Sequence, residues 1–379
     1  MKIALVSPYD FAHPGGVPSH ISSLECHLTR MGHEVKIIAP SSKAVTTFGD
    51  RFIPIGKPRS IPSSGSIVRI SISLRLASTI KEVLDREKFD IIHLHEPFMI
   101  MLCSAVLRFS NAVNIGTFHA ADGKPGYKWG WPIGTMILNR RRRKLNGKIA
   151  VSKSAMNYAS RFVPGQYEII PNGVDTERFT PDVAPVEKFC DGKQNILFLG
   201  RLEHRKGLKY LLKAYQLVKQ EIPDSRLIVV GPGTRLLKGY EKWVKRNHLE
   251  DIVFVGYISE EDKPRYFKTA DIYCAPSTGH ESQGIVLLEA MAVGTPIVAS
   301  NLEGYAGVVT HGQEGLLVPP KNSTELAKAL VLLLKDKSMR QEMGAKGRIT
   351  AEKYSWERVA RRVYDYYIKV LNGTAVSVK

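Results

Sequence analysis

No stretch of this 379-residue chain reaches the run of about 18 apolar residues that a membrane-spanning helix requires, so none is expected. Residues 1–8, Met-Lys-Ile-Ala-Leu-Val-Ser-Pro, carry too short an apolar run for a signal peptide and lead straight into a strand pattern. Cysteine is scarce. The four, Cys26, Cys103, Cys190 and Cys274, have neither disulfide nor metal-ligand spacing and fall mostly in apolar segments, which suits a reducing compartment and implies a cytoplasmic location. Without any Asp-x-Asp pair, metal-bridged diphosphate chemistry is disfavoured, and without Gly-x-Gly-x-x-Gly the dinucleotide fingerprint is missing. Neither a short repeat nor a low-complexity tract is present.

What the chain does have is apolar content, 44% of residues, enough for two domain-sized cores. Strand and helix patterns alternate through the first half, with strands at 3–7, 34–39, 91–95 and 114–118 and helices at 20–31 and 74–86. The alternation restarts with strands at 195–199, 226–230, 252–255, 272–275 and 297–299 and an amphipathic helix at 207–221. This is the rhythm of parallel sheets with crossover helices, and it predicts two doubly wound α/β domains. The turn signal Ile170-Pro-Asn-Gly-Val174 places the boundary, giving domains at 1–170 and 171–354. A capped amphipathic helix follows from Ser355.

Charge is uneven. Of 54 Lys/Arg, 23 lie in residues 1–172, against 11 of the 36 Asp/Glu, within a formal net charge of +18. A basic first half fits an anionic partner, either nucleic acid or an anionic membrane surface. Asn139-Arg-Arg-Arg-Arg-Lys144 follows Tyr127-Lys-Trp-Gly-Trp131, and basic residues beside tryptophans suit an interfacial membrane contact. Trp129, Trp131, Arg140, Arg141, Arg142 and Arg143 are its candidates. No recognised nucleic-acid module surrounds them, so nucleic acid is not the expected partner.

The most informative stretch is Glu281-Ser-Gln-Gly-Ile-Val-Leu-Leu-Glu289. The backbone N–H groups of Gly284, Ile285 and Val286 form the positive end of a helix, which binds diphosphate without a metal. Glu281 and Glu289 flank that end and can accept hydrogen bonds from sugar and ribose hydroxyls. The strand 271–276 before it brings the motif to a carboxyl edge, where open α/β sheets bind ligands. Gly200-Arg-Leu-Glu-His-Arg-Lys-Gly207 delivers Arg201 and Lys206 to the same edge, two cations able to neutralise a diphosphate leaving group, while Arg205 reads as a solvated member of the turn. In the first half, Gly15 and Gly16 open a helix where a phosphate could approach the backbone. His119 closes the strand 115–119 and points towards ligand. His93 and His95 share a strand face, but no third ligand stands at suitable spacing, so structural roles are expected and no metal is assigned.

Together these residues resemble the retaining glycosyltransferases of family 4, over nearly the whole chain. The match rests on Gly15-Gly16, Thr117-Phe-His119, Ile170-Pro-Asn-Gly-Val-Asp175, Gly200-Arg201 with Lys206-Gly207, and the Glu281–Glu289 motif, in family order. Within the family the chain looks most like phosphatidylinositol α-mannosyltransferases, through Pro8-Tyr9, Gly65-Ser66 with Arg69, His95-Glu96-Pro97, Tyr273-Cys-Ala-Pro276 and Gly284-Ile-Val-Leu287. The resemblance implies a GT-B fold, two Rossmann-like domains facing across a cleft, with the helix over 355–379 crossing back to complete the first. It implies that Arg201, Lys206, Gly16 and the backbone from Gly284 to Val286 hold the donor diphosphate. Glu289 then binds ribose, Glu281 the sugar hydroxyls, and Ile258 and Lys263 the base, guanine in that subgroup. His119 contacts the donor sugar near the reacting carbon, and Tyr9, Ser66 and Arg69 serve the inositol phosphate acceptor. Pro18, Ser64 and Gln283 depart from the pattern, the first two on the acceptor side.

The expected function is transfer of a hexose, mannose from GDP-mannose, to phosphatidylinositol or a related anionic lipid, with retention and without a metal or other cofactor. The expected location is the cytoplasmic face of the membrane, peripherally bound. Two other readings share the fold: a family 4 enzyme using a UDP-sugar and a different lipid or polysaccharide acceptor, and a nucleotide-sugar 2-epimerase.

Overall fold

A computed structural model describes residues 1–13, 15–63, 66–71, 76–99, 101–122, 139–233 and 235–377. Among them no helix is long and apolar enough to cross a membrane. The chain divides into two units, Met1–Gly173 with Trp356–Lys379, and Val174–Ser355. Val174 belongs to the second because its N–H donates to the Tyr354 carbonyl at 2.9 Å.

The first unit contains β1 (Lys2–Val6), β2 (Glu34–Ala39), β3 (Phe52–Pro54), β4 (Pro58–Ser63), β5 (Ser66–Ser71), β6 (Ile91–His95), β7 (Val113–Phe118), β8 (Gly147–Ala150) and β9 (Glu168–Ile169). Seven of these form a sheet in the order β3-β2-β1-β6-β7-β8-β9, with every neighbouring pair parallel. β4 and β5 pair antiparallel as a separate hairpin. Alternate residues of each strand serve opposite faces. Ile3, Leu5 and Ile37 pack with the helix Gly16–Arg30 and with Val359, Ala360, Val363 and Tyr367 of the terminal helix Trp356–Ser377. Ala4, Val6, Ile38, Ile92 and Leu94 pack with the helices Leu76–Glu87 and Leu102–Phe109. Burial on both faces is why these strands read as continuous apolar runs.

The second unit holds β10 (Gln194–Leu199), β11 (Ser225–Val230), β12 (Ile252–Gly256), β13 (Ile272–Ala275), β14 (Ile297–Ser300) and β15 (Gly315–Val318). Its parallel sheet has the order β12-β11-β10-β13-β14-β15. The chain winds outward from β10 to β12, then returns to β13 on the other side of β10. In the first unit it does the same from β1 to β3, returning at β6. Each sheet therefore has a switch point, β10/β13 and β1/β6, and ligands of such sheets bind beyond the strand carboxyl ends there.

Away from those edges, Glu87 anchors an ion cluster, accepting from Lys36 Nζ at 2.7 Å, Lys2 Nζ at 2.9 Å and Arg86 Nη2 at 3.0 Å. Burial alone would raise its carboxyl, but Lys36, Lys2 and Arg86 hold it down at about 2, against an ordinary 4.5. A depressed folded-state pKa means stabilisation present above 4.5 and lost as pH falls towards 2. Glu87→Gln should therefore cost about 2 kcal/mol at neutral pH, after allowance for the solvent reaching its partners, and little in strong acid. Urea unfolding at neutral and acid pH checks this; an equal cost at both would remove the ionic contribution.

Candidate functional site

At the carboxyl end of β10 the chain makes a short 3-10 turn, His204–Lys206, closed by Gly207 in the left-handed conformation at φ 74°. The turn is stitched to the loop after β13, where Thr278 N–H donates to the Arg205 carbonyl at 2.7 Å. Gly207 lies so close to that loop that a Cβ on it would stand 1.8 Å from the Pro276 carbonyl oxygen. Glycine is required here for both reasons. A second close approach is Gly231, at φ 152°, whose Cβ would meet the Gly200 carbonyl oxygen at 1.9 Å. Loops from three adjacent strands thus pack at one switch point.

The side chains they carry form a chain of charge. Arg201 Nη1 pairs with Glu203 at 3.3 Å, and Arg205 Nε donates to the other Glu203 oxygen at 2.8 Å. Arg205 Nη1 and Lys206 Nζ both donate to Glu281 Oε1, at 2.9 and 2.7 Å. Ser277 Oγ donates to the same oxygen at 3.2 Å and hydrogen-bonds Tyr305 Oη at 2.9 Å. Three cations face two carboxylates, so the cluster keeps one positive charge in excess. Arg201 is half-exposed, whereas Arg205 and Lys206 are 19% and 16% exposed. Arg205 is therefore not the solvated turn residue that its sequence suggested. It is held between two carboxylates, one of them supplied from across the fold.

The helix Ile285–Val293 starts beside this cluster. Gly284 is its left-handed cap at φ 81°, and a Cβ there would stand 2.7 Å from the Tyr305 ring. Gly284 is thus the cap rather than the first helical residue, and its carbonyl accepts from Leu287 N–H at 2.9 Å. The N–H groups of Ile285 and Val286 precede the first intrahelical bond, as at any helix start. Glu289, one turn further in, is buried with Oε1 on Lys263 Nζ at 2.7 Å. Its Oε2 is buried without a partner. Burial raises the Glu289 carboxyl above the ordinary range, and Lys263 only partly opposes this. A buried oxygen with no donor is suited to a ligand hydroxyl. Ile258 is half-buried and packs against the core cluster that includes Leu288 and Ala290.

In the first unit, Gly15 is the extended cap of the helix Gly16–Arg30, and both glycines are exposed. Tyr9 forms a bridge to Ile70, and Asp10 N–H donates to the Arg69 carbonyl at 2.9 Å, so Tyr9 and Arg69 are brought together at the edge of β5. Ser66 opens β5. His119 lies just beyond β7, where its N–H donates to Glu96 Oε1 at 2.7 Å. Its ring meets His95 Nδ1 at 3.0 Å through Nε2, and Asn172 also hydrogen-bonds it. His93 is structural, placed between Tyr367 Oη and Thr117 Oγ1, each at 2.6 Å. The third imidazole beside His95 and His119 is His20, which spacing could not reveal because it comes from the helix after β1. Residues 139–142 form a helical turn in which Arg140 is exposed and Arg141 and Arg142 are half-buried, followed by exposed Arg143. Trp129, Trp131 and Ser64 lie outside the described residues.

Glu203, Ser277 and Tyr305 carried no expectation. Glu203 had a legible signal in the alternation Arg201-x-Glu203-x-Arg205, whereas Tyr305 and Ser277 act through contacts that only the fold makes.

Two parallel-sheet α/β units, with a cation cluster and a glycine-capped helix start at the switch point of the second, are the architecture of a GT-B glycosyltransferase. The chain belongs to the family 4 glycosyltransferases: the model for glycosyl transferases group 1 matches residues 182–350, and that for Glycosyltransferase Family 4 matches residues 14–178. It is 34% identical over 385 residues to a phosphatidyl-myo-inositol mannosyltransferase of Mycobacterium leprae, covering 100% of both chains. It is 33% identical to the protein of the same name from Mycolicibacterium smegmatis, covering 100% of this chain and 96% of that one. A glycosyltransferase structure from Rickettsia africae shares the fold with a TM-score of 0.79 at 19% identity, covering 98% of each chain.

Proposed function

We propose that the protein transfers mannose from GDP-mannose to phosphatidylinositol, with retention of configuration, at a membrane surface. The observation that carries this reading is the excess-positive cluster of Arg201, Arg205 and Lys206 with Glu203 and Glu281, beside the start of the helix Ile285–Val293. The named relatives support the sugar and the lipid. On this reading Val174–Ser355 binds the donor and the unit containing Met1–Gly173 takes the acceptor. Arg201, Lys206, Gly16 and the backbone from Gly284 to Val286 hold the diphosphate, and Glu289 Oε2 accepts from a ribose hydroxyl. Ile258 and Lys263 border the base, and Glu281 and His119 the sugar. Tyr9, Ser66 and Arg69 meet the headgroup, while Arg140–Arg143 with Trp129 and Trp131 contact anionic lipid.

The chemistry needs no protein nucleophile and no metal. The bond between the sugar carbon and the diphosphate oxygen breaks as an acceptor oxygen bonds to that carbon on the same face. The acceptor proton passes to a donor phosphate oxygen, and the departing charge is stabilised by Arg201, Lys206 and the helix start.

Labelled GDP-mannose, with UDP-glucose in parallel, incubated with anionic liposomes should label the lipid phase only when phosphatidylinositol is present. Label from UDP-glucose alone would overturn the donor, and label in liposomes lacking phosphatidylinositol would overturn the acceptor. The anomeric configuration of the product tests retention.

A further inference from the structure

Three imidazoles converge inside the first unit. His20 comes from the helix Gly16–Arg30, His95 ends β6 and His119 follows β7, and one ring nitrogen of each lies within 4.8 Å of the other two. The ring centroids are 5.1 Å apart for His20 and His95, 4.9 Å for His20 and His119, and 5.3 Å for His95 and His119. His20 and His95 are 3% and 0% exposed.

Two further observations make this more than a packed aromatic cluster. His95 Nε2 is buried and has no hydrogen-bond partner. A proton on His95 Nδ1, donated to His119 Nε2, leaves Nε2 as a bare lone pair and avoids an orphaned buried N–H. Second, His20 Nδ1 meets Asn172 Oδ1 at 2.9 Å. An amide oxygen can only accept, so His20 carries its proton there and presents the lone pair of Nε2. Ligand histidines are oriented in this way, with the second ring nitrogen donating to a fixed acceptor. Glu96, 5% exposed and bonded to the His119 N–H, supplies a nearby negative charge to offset a bound cation.

The geometry points to a three-histidine site, His20, His95 and His119, for a borderline-soft divalent metal such as zinc, cobalt or nickel. Neutral imidazoles select these ions over magnesium or calcium, which prefer oxygen. A tetrahedral zinc with nitrogens at about 2.0–2.1 Å needs those atoms about 3.3 Å apart, so binding requires the rings to rotate inward and breaks the His95–His119 hydrogen bond. Water or a substrate oxygen would take the fourth position. Because His119 is assigned above to the donor sugar, occupancy would alter transfer; that consequence rests on the proposed function, whereas the site does not.

The test is titration of chelator-treated, full-length protein with cobalt(II), read by visible ligand-field absorption, and with zinc, read by competition. One equivalent should bind with tetrahedral cobalt bands. His20→Ala and His95→Ala should each weaken binding by at least about 100-fold, since even second-shell changes cost 10–100-fold. His20→Gln keeps an amide for Asn172 without an imidazole, and it separates loss of a ligand from loss of the fold. Absence of stoichiometric binding, or unchanged binding by folded His20→Gln, would overturn the site, and neither result bears on transfer from GDP-mannose measured with chelator present.

Discussion

Lys206→Ala should lower turnover by about 10²–10³, the scale for losing one preorganised donor at a developing negative charge, or about 3–4 kcal/mol of barrier. Lys206 Nζ lies 2.7 Å from Glu281 Oε1 and is 16% exposed, so its charge sits in a poorly screened place. Turnover and KM should separate, because the leaving diphosphate carries more charge in the transition state than in the bound donor. Turnover falls and KM changes less. Arg201→Ala should follow the same direction with a smaller effect, since that side chain is half-exposed. Arg205→Ala should differ in kind. Its guanidinium joins Glu203 to Glu281, and removing it leaves two partly buried carboxylates short of a partner. The loss should appear first in melting temperature. Steady-state kinetics on the three variants, beside their thermal unfolding, gives the comparison, and near-normal turnover of Lys206→Ala would remove it from the leaving-group site.

How far the sequence could carry this site depends on where each contact originates. Strands such as β1, β10 and β11 were legible because burial on both faces writes an unbroken apolar run into the chain. β4 was not, because Pro-Arg-Ser-Ile-Pro-Ser offers two prolines and no alternation, and its pairing comes from β5. β15 (Gly-Leu-Leu-Val) and β8 (Gly-Lys-Ile-Ala) were not either: each opens on glycine, which weakens a strand signal, whereas β13 and β14, equally short, open on isoleucine and were read. The same contrast holds in the site. Gly284 and Glu289 were legible because a helix start is a local event with its own residue preferences. The pairing of Arg205 with Glu281 was not, since the two are 76 positions apart and only the adjacency of β10 and β13 brings them together. His20 went unread for the same reason, being an ordinary amphipathic-helix residue until the ends of β6 and β7 meet it.

Gly207→Ala should be the most damaging small substitution in the second unit, and Gly239→Ala should have the opposite sign. At φ 74° an alanine already costs about 1–2 kcal/mol in the left-handed region, and its Cβ would fall 1.8 Å from the Pro276 oxygen, a backbone atom that cannot rotate away. The loops after β10 and β13 must separate, and with them the contact between Thr278 and Arg205. A destabilisation of about 3–5 kcal/mol follows, together with weaker donor binding, because Lys206 is the neighbouring residue. Gly239 lies exposed within the helix Leu237–Arg246 with nothing within 4 Å of its added Cβ, so alanine there should stabilise by about 0.5–1 kcal/mol. Urea unfolding of both variants, with nucleotide affinity measured by calorimetry, separates the two causes. If Gly207→Ala unfolds like the parent and binds nucleotide equally well, the two loops are not locked together as the close approach requires, and the placing of Lys206 must come from Glu281 alone.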